Sequence, residues 1–373
     1  MRALIAAGGT GGHLYPALAL AFYLKEHNLA EKILWIGGKR GVEVEVVPAS
    51  GFEFKKISVR RCPRNIRGDW IGFVYGLILS FFQSFLILLH FKPHVVVGMG
   101  SFHSYPVVSV AFFLGIPSLI CEQNVRPSLT NRLLLRWASK IAISFPQTKR
   151  YIPPRMRKKA CLVGNPIRPE ILKMSREMGR RKLGLDNDRF TLLFLGGSQG
   201  AHSLNLAGMK AIGLLEREGV ESEVQVIFIT GEKDLEMVKG YLNSSRMRVA
   251  IFPYLNHMEY AYAASDLVIS RSGATTLAEI TARGLPSILI PYPYATLRHQ
   301  WENAKVLEER KAACTISEKD LSGETLKEMI LKLMKDKKLL EEMGKRSKEL
   351  ARPEATSKMA KLVCELAKRR KIC

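Results

Sequence analysis

The spacings by which cysteine holds metal are missing from this chain of 373 residues. Its six cysteines (Cys62, Cys121, Cys161, Cys314, Cys364 and Cys373) stand far apart, with no CxxC pair and no Cys/His ligand pattern. That excludes the usual structural zinc sites and points to a reducing compartment. Acidic residues are also scarce. There are 34 Asp and Glu against 57 Lys and Arg, a formal net charge of +23. Residues 1–160 carry most of the excess, with 22 basic and 7 acidic side chains. A field of that sign favours anionic partners. No RNP, zinc-finger or helix-turn-helix signature accompanies it, and basic and aromatic residues are not interleaved, so no nucleic acid is expected. The N-terminus lacks the apolar core and cleavage site of a signal peptide, which makes the cytoplasm the default compartment. With 47% hydrophobic and 24% charged residues the composition is that of a soluble protein. The length suggests two domains.

Short apolar runs alternate with helical patterns along most of the chain. Strands are expected at Ala3–Ala7, Ile33–Ile36, Phe54–Val59, Val95–Gly98, Ser118–Cys121, Ile141–Ser144 and Cys161–Val163. A second series covers Thr191–Leu195, Val224–Thr230, Val249–Phe252, Leu267–Ser270 and Ser287–Pro291. Many runs are continuously apolar, as in parallel strands buried on both faces. The two series open alike. An apolar strand leads into Gly8-Gly9-Thr10-Gly11-Gly12-His13, and another into Gly196-Gly197-Ser198-Gln199-Gly200-Ala201, each followed by a helical pattern. The expected fold is therefore α/β, with two Rossmann-like domains in tandem. Their boundary should fall between Gly164 and Arg189, near Asn165-Pro166-Ile167-Arg168-Pro169.

Glycines after a strand let a backbone approach a phosphate at a helix N-terminus. Neither loop fits GxxxxGK[ST], so neither is a P-loop. A dinucleotide site fails as well: Leu14 holds the third glycine position, and the second strand ends in Gly37-Gly38 without an acid. Arg271-Ser272-Gly273-Ala274-Thr275-Thr276-Leu277-Ala278-Glu279 is more informative. It follows a strand and opens a helix, with Ser272 or Gly273 near the cap and the first-turn N–H groups free for a phosphate. Glu279, two turns in, has the acceptor oxygens a ribose diol requires. A capped helix with a surface Glu accounts for the same residues. Asp186-Asn187-Asp188 matches a metal-binding D-x-D string, but it lies in a polar turn that explains it without a metal.

Ile71 to Phe91 is a run of 21 residues without a charge, long enough to cross a bilayer. Strands of one domain flank it, which favours a buried or interfacial helix over a span. Arg60, Arg61, Arg64 and Arg67 before it and Lys92 after it give an apolar surface with a basic collar, as a monotopic membrane contact needs.

These pieces together resemble the GT-B glycosyltransferases, and more narrowly the N-acetylglucosaminyltransferases that form lipid II in bacterial cell-wall synthesis. The matching segments are Gly8–His13 with Pro16, Glu122-Gln123-Asn124, Gly164–Arg168, Gly196–Ala201, Arg271–Glu279, Gly284-Leu285-Pro286, and Gln300 with Asn303, in the family's order. The resemblance implies a GT-B fold, two Rossmann-like domains whose parallel sheets face a cleft. It implies an N-terminal acceptor and membrane-facing domain over 1–164, a UDP-sugar domain over 165–350, and a helix over 351–373 returning toward the first domain. It implies transfer of N-acetylglucosamine from UDP-N-acetylglucosamine to the muramoyl C4 hydroxyl of lipid I, at an anionic membrane surface on its cytoplasmic face, with no cofactor and no metal.

By the same resemblance Thr10, Gly11 and Gly12 would line the cleft, and His13 would be the catalytic base, with an acid such as Glu122 as the alternative. Asn124 and Arg168 would contact donor or acceptor groups, and Ser198 would close over the donor diphosphate. Leu255 would pack beside the uracil. Ala274, Thr275, Thr276, Leu277, Ala278 and Glu279 would bind phosphate and ribose, and Gln300, with Asn303, would read sugar hydroxyls. Arg298 and His299 are candidates for neutralising the leaving diphosphate. The chain departs from the family pattern at Ser101-Phe102-His103-Ser104-Tyr105, where glycine is the usual residue. A UDP-N-acetylglucosamine 2-epimerase, a different lipid glycosyltransferase and a non-enzymatic membrane scaffold are the competing readings. Intact glycine loops argue against the scaffold.

Overall fold

The structure is a computed structural model and describes residues 1–60, 69–197 and 200–371. Ser198, and Arg61, Arg64 and Arg67 of the basic collar, lie outside the described residues. The chain divides into two compact units. One contains residues 1–167 together with 353–373, the other residues 168–352.

The first unit runs β1 (Arg2–Ala6), α1 (Gly11–Glu26), β2 (Lys32–Gly37), α2 (Glu43–Ala49), β3 (Glu53–Lys56) and α3 (Trp70–Phe91). It continues with β4 (Val95–Gly98), α4 (Ser104–Phe113), β5 (Ser118–Glu122), α5 (Leu129–Leu134), β6 (Lys140–Ile143) and β7 (Ala160–Leu162). The seven strands form one parallel sheet in the order β3-β2-β1-β4-β5-β6-β7. β1 shows why these strands are apolar throughout. Ala3 and Ile5 face a core shared with α1, while Leu4 and Ala6 face a second core filled by Leu88, Val107 and Leu134. The C-terminal helix, Ala355–Lys371, completes the first of these cores with Met359, Val363 and Leu366.

The second unit begins with α6 (Glu170–Lys173), α7 (Arg176–Lys182), β8 (Phe190–Leu195), α8 (His202–Arg217), β9 (Val224–Ile229), α9 (Leu235–Leu242) and β10 (Arg248–Phe252). It continues with α10 (Met258–Ala264), β11 (Leu267–Ser270), α11 (Ala274–Arg283), β12 (Ser287–Leu289), α12 (His299–Glu309) and β13 (Ala313–Thr315). Helices α13 (Gly323–Lys335) and α14 (Lys337–Glu349) close it, and the C-terminal helix of the chain is α15. Its six parallel strands are ordered β10-β9-β8-β11-β12-β13. Phe194 and Phe228 stack in the core with ring centroids 5.0 Å apart. On the opposite face the fully buried Arg180 binds Asp266 Oδ2 at 2.8 Å, Thr191 Oγ1 at 2.9 Å and the Ala264 carbonyl at 3.2 Å.

Two strand expectations need correction, and one strand was missed. The run from Phe54 ends at Lys56, the one from Ser287 ends at Leu289, and β13 was not anticipated. β13 has three residues, too few for a periodic signal.

Candidate active site

In each sheet the strand order reverses beside the first strand of the unit, between β1 and β4 and between β8 and β11. Ligands of open parallel sheets bind beyond the carboxyl ends of the strands at such a switch point. Gly8–Gly12 leaves β1 and Met99–His103 leaves β4 at the first. Gly196-Gly197 leaves β8, Gly200-Ala201 leads into α8, and Arg271–Gly273 leaves β11 at the second. The glycine loops singled out in the sequence are thus the loops at both switch points.

At the first, Thr10 is the exposed N-cap of α1 and makes no side-chain cap hydrogen bond. Gly11 is buried and Gly12 exposed. His13 follows in the first turn, half-buried, with its Nδ1 buried and without a hydrogen bond. Burial pushes the imidazole below its ordinary value of 6.5. The Glu122 charge, the Met99 carbonyl and Gln123 pull it back up more weakly, and the His103 ring adds to the lowering.

Glu122, the last residue of β5, is buried and already engaged. Oε1 accepts from Asn124 N at 3.0 Å and Asn124 Nδ2 at 3.2 Å, and Oε2 from Ser128 N and Asn131 Nδ2 at 2.8 Å each. Four N–H donors occupy its two oxygens, and its charge bears on the His13 imidazole. Asn124 is held by this carboxylate, and its own carbonyl accepts from Thr148 Oγ1 at 3.2 Å. The residue that the sequence reading missed is Glu43. It is fully buried under the first glycine loop, and its oxygens accept from Gly9 N and Gly38 N. Only its place two residues after the glycine-rich stretch Gly37–Gly41 hints at this.

At the second switch point Gly273, not Ser272, is the N-cap of α11, with extended backbone and no side-chain cap bond. Ser272 is turned inward, its Oγ donating to the Gln300 carbonyl at 2.8 Å. Ala274, Thr275 and Thr276 form the first turn, whose N–H groups suit an anion. Leu277 is buried and Ala278 half-buried. Glu279 is buried as well, so it is no surface residue. Arg168 Nη2 lies 3.9 Å from its Oε1, and Arg168 Nη1 donates to the Asn256 carbonyl at 2.8 Å. Burial raises the Glu279 carboxyl, while Arg168 and Tyr262 draw it down. Leu255, half-buried, is next to Asn256 in the loop that precedes α10.

Gln300 Oε1 accepts from Tyr292 N at 2.9 Å, and Asn303 Nδ2 donates to the Ser272 carbonyl at 3.2 Å. Leu297 and Arg298, just before α12, both hold left-handed backbone (φ 56° and 53°). That costs roughly 1–2 kcal/mol per residue. Strain of this kind collects at functional loops. Arg271 is buried with its guanidinium on Glu318, the Ile290 carbonyl and Ser203 Oγ. Asp186 of the D-x-D string is paired with Arg189 and Arg248. Among the described residues no group of three His, Cys, Asp or Glu is placed to hold a metal.

The uncharged segment is α3, the one helix among the described residues long and apolar enough to cross a membrane. Its amphipathicity is reversed. The buried face is Gly76, Ser80, Ser84 and Leu88. The exposed face carries Ile71, Tyr75, Ile78, Phe82, Leu86 and Leu89, all 45% or more accessible. Phe102, in the β4–α4 loop, and Tyr105, in the first turn of α4, pack toward α3. Phe102 lies 5.9 Å from Phe73, and Tyr105 5.7 Å from Phe81 and 6.1 Å from Trp137, between ring centroids.

Comparison with known proteins adds sequence evidence. A model of the glycosyltransferase family 28 N-terminal domain matches residues 3–143, and one of the family 28 C-terminal domain matches residues 191–361. The chain is 41% identical to a UDP-N-acetylglucosamine–N-acetylmuramyl-(pentapeptide) pyrophosphoryl-undecaprenol N-acetylglucosamine transferase of Halothermothrix orenii, over 99% of this chain and 100% of that protein. A protein of the same name from Caldanaerobacter subterraneus is also 41% identical, over 97% and 99%. The crystal structure of Acinetobacter baumannii MurG superposes with TM-score 0.76 at 25% identity, covering 98% of this chain and 99% of that one. A UDP-GlcNAc 2-epimerase from Neisseria meningitidis, bound to UDP-GlcNAc, superposes with TM-score 0.70 at 13% identity, over 98% and 100%. At that identity the likeness is one of fold alone.

Proposed function

The chain belongs to glycosyltransferase family 28, and from that premise we propose that it transfers N-acetylglucosamine from UDP-N-acetylglucosamine to the muramoyl C4 hydroxyl of lipid I. The product is lipid II, with inversion at the anomeric carbon. The observation that carries this reading is full-length identity of 41% to transferases of that name. The epimerases share the fold at much lower identity.

The chemistry requires a base that is unprotonated near neutral pH. A half-buried His13 whose pKa lies below 6.5 meets that need. Its imidazole takes the C4 hydroxyl proton as the oxygen attacks C1. The bond from C1 to the diphosphate breaks, and UDP leaves with the electron pair. Glu122, saturated with donors, favours the imidazolium that forms rather than acting as base itself. In the second unit the uncapped N-terminus of α11 faces the growing negative charge of the diphosphate. Glu279 and Leu255 hold ribose and uracil, and Gln300 reads the sugar. Arg168 keeps Glu279 oriented. No step calls for a metal or a cofactor.

The acceptor is an anionic polyprenyl diphosphate, so its enzyme works where lipid meets water. The reversed face of α3, in a first domain rich in cations, supports a peripheral contact with an anionic membrane. The test is incubation with radiolabelled UDP-N-acetylglucosamine and a lipid I analogue in the presence of EDTA. Labelled lipid is the expected product. UDP binding without product, whether or not Mg²⁺ or Mn²⁺ is added, would overturn the acceptor assignment and direct attention to Ser101–Tyr105.

A further inference from the structure

Two glycine loops, one after β1 and one after β2, close on a single carboxylate. Glu43 has no solvent exposure. Its Oε2 accepts from Gly9 N at 3.1 Å and its Oε1 from Gly38 N at 3.3 Å. The glycines make room for it. A Cβ at Gly8 would stand 2.4 Å from Oε1, and one at Gly41 2.4 Å from Oε2. Gly38 is enclosed from the other side, since a Cβ there would lie 2.6 Å from His103 Nε2. Taking a carboxylate out of water costs several kcal/mol. Here the return is a fixed geometry for two loops. β2 ends without the acid of a dinucleotide site. The acid arrives at the first residue of α2 and turns into the protein, where it holds backbone instead of a ribose.

We propose that Glu43 is a positioning residue for the transfer. It sets the course of Gly8–Gly12 and thereby holds His13, in the first turn of α1, beside Glu122 and His103. This rests on the reading of His13 as the base. Glu43 donates and accepts no proton in the reaction, and it acts only through the loop.

The test is Glu43→Gln, which keeps the shape and turns one acceptor into an N–H₂ facing a backbone N–H. The expected result is a fall in kcat of about tenfold or more, with the KM for UDP-N-acetylglucosamine within about twofold of the parent protein. The acid limb of the kcat/KM profile should also move up toward pH 6.5, because a loosened loop lets water reach a ring that burial had depressed. A purely structural role would lower the melting temperature and leave both the limb and the kcat of the folded enzyme in place, and that result overturns the proposal. If Glu43→Gln does not fold, Glu43→Asp replaces it. The charge stays but the side chain is too short for both loops, and the same drop in kcat is expected. Loss of folding in both variants assigns Glu43 to the fold and also overturns the proposal. His13→Ala separates the two layers. If it retains turnover, the base assignment fails. If it is inactive while Glu43→Gln matches the parent, only Glu43 is removed.

Discussion

Replacing Ile78, Phe82 and Leu86 of α3 together by Ser should detach the protein from anionic vesicles while leaving its fold intact. In water these side chains are 64%, 59% and 50% exposed, so the fold gains little from them. Burying such a side chain completely is worth about 1.5–3 kcal/mol. Roughly half of that is still available to each at a lipid interface, about 1 kcal/mol apiece and about 3 kcal/mol together. At about 1.4 kcal/mol per decade, the vesicle affinity of the triple variant should drop by about 100-fold. Co-sedimentation with vesicles containing phosphatidylglycerol, at low and high salt, measures the loss. A thermal melt of the same samples checks the fold. Vesicle binding equal to the parent with an unchanged melt would refute the reasoning. A large fall in melting temperature would show that this face is packed rather than free.

His13→Ala should lower kcat by about 10²–10⁴, the usual worth of general base catalysis, with UDP affinity by calorimetry unchanged. The sign of the His13 shift sets a pH dependence. Burial disfavours the charged ring, so the unprotonated base persists below its ordinary value, and the acid limb of kcat/KM should lie below pH 6.5. A limb above that value in the parent enzyme would be incompatible with His13 as base. Glu279→Ala should weaken UDP binding, and equal affinity in calorimetry would discard the ribose contact. Arg180→Ala should cost about 3–5 kcal/mol in urea unfolding, because it strips the fully buried partner from Asp266 and from three main-chain carbonyls, those of Ala264, Asp186 and Asn187.

The parts of the site made by main chain were the easiest to read in the sequence. Gly8–Gly12 and Arg271–Gly273 stand out because strand, glycine and helix follow each other within a few residues, and both lie at switch points. Position along the chain does not show which way a side chain turns. Ser272 has the composition of a cap but bonds inward to Gln300, and Glu279 is covered rather than exposed. Glu43 was illegible for a related reason. Its partners are main-chain groups 34 and 5 residues away, and main-chain groups leave no mark on residue identity. The apolar run of α3 was plain, but its orientation was not. The small residues Gly76, Ser80 and Ser84 face inward because α3 packs closely there, where Ser58 O lies 2.9 Å from the Cβ position of Gly76. Phe102 and Tyr105, read as departures from the family pattern, find partners in Phe73 and Phe81 of the same helix.

The first unit takes its last helix from the far end of the chain, and this has a consequence for synthesis. Met359, Val363 and Leu366 of α15 close a core whose other walls come from residues before 168. On a ribosome that core stays uncovered while residues 168–352 are made, on the order of 10–40 s at ordinary elongation rates. The second unit, contiguous in sequence, can finish first. The half of the molecule that carries α3 therefore matures last, after residues 168–352 have been made.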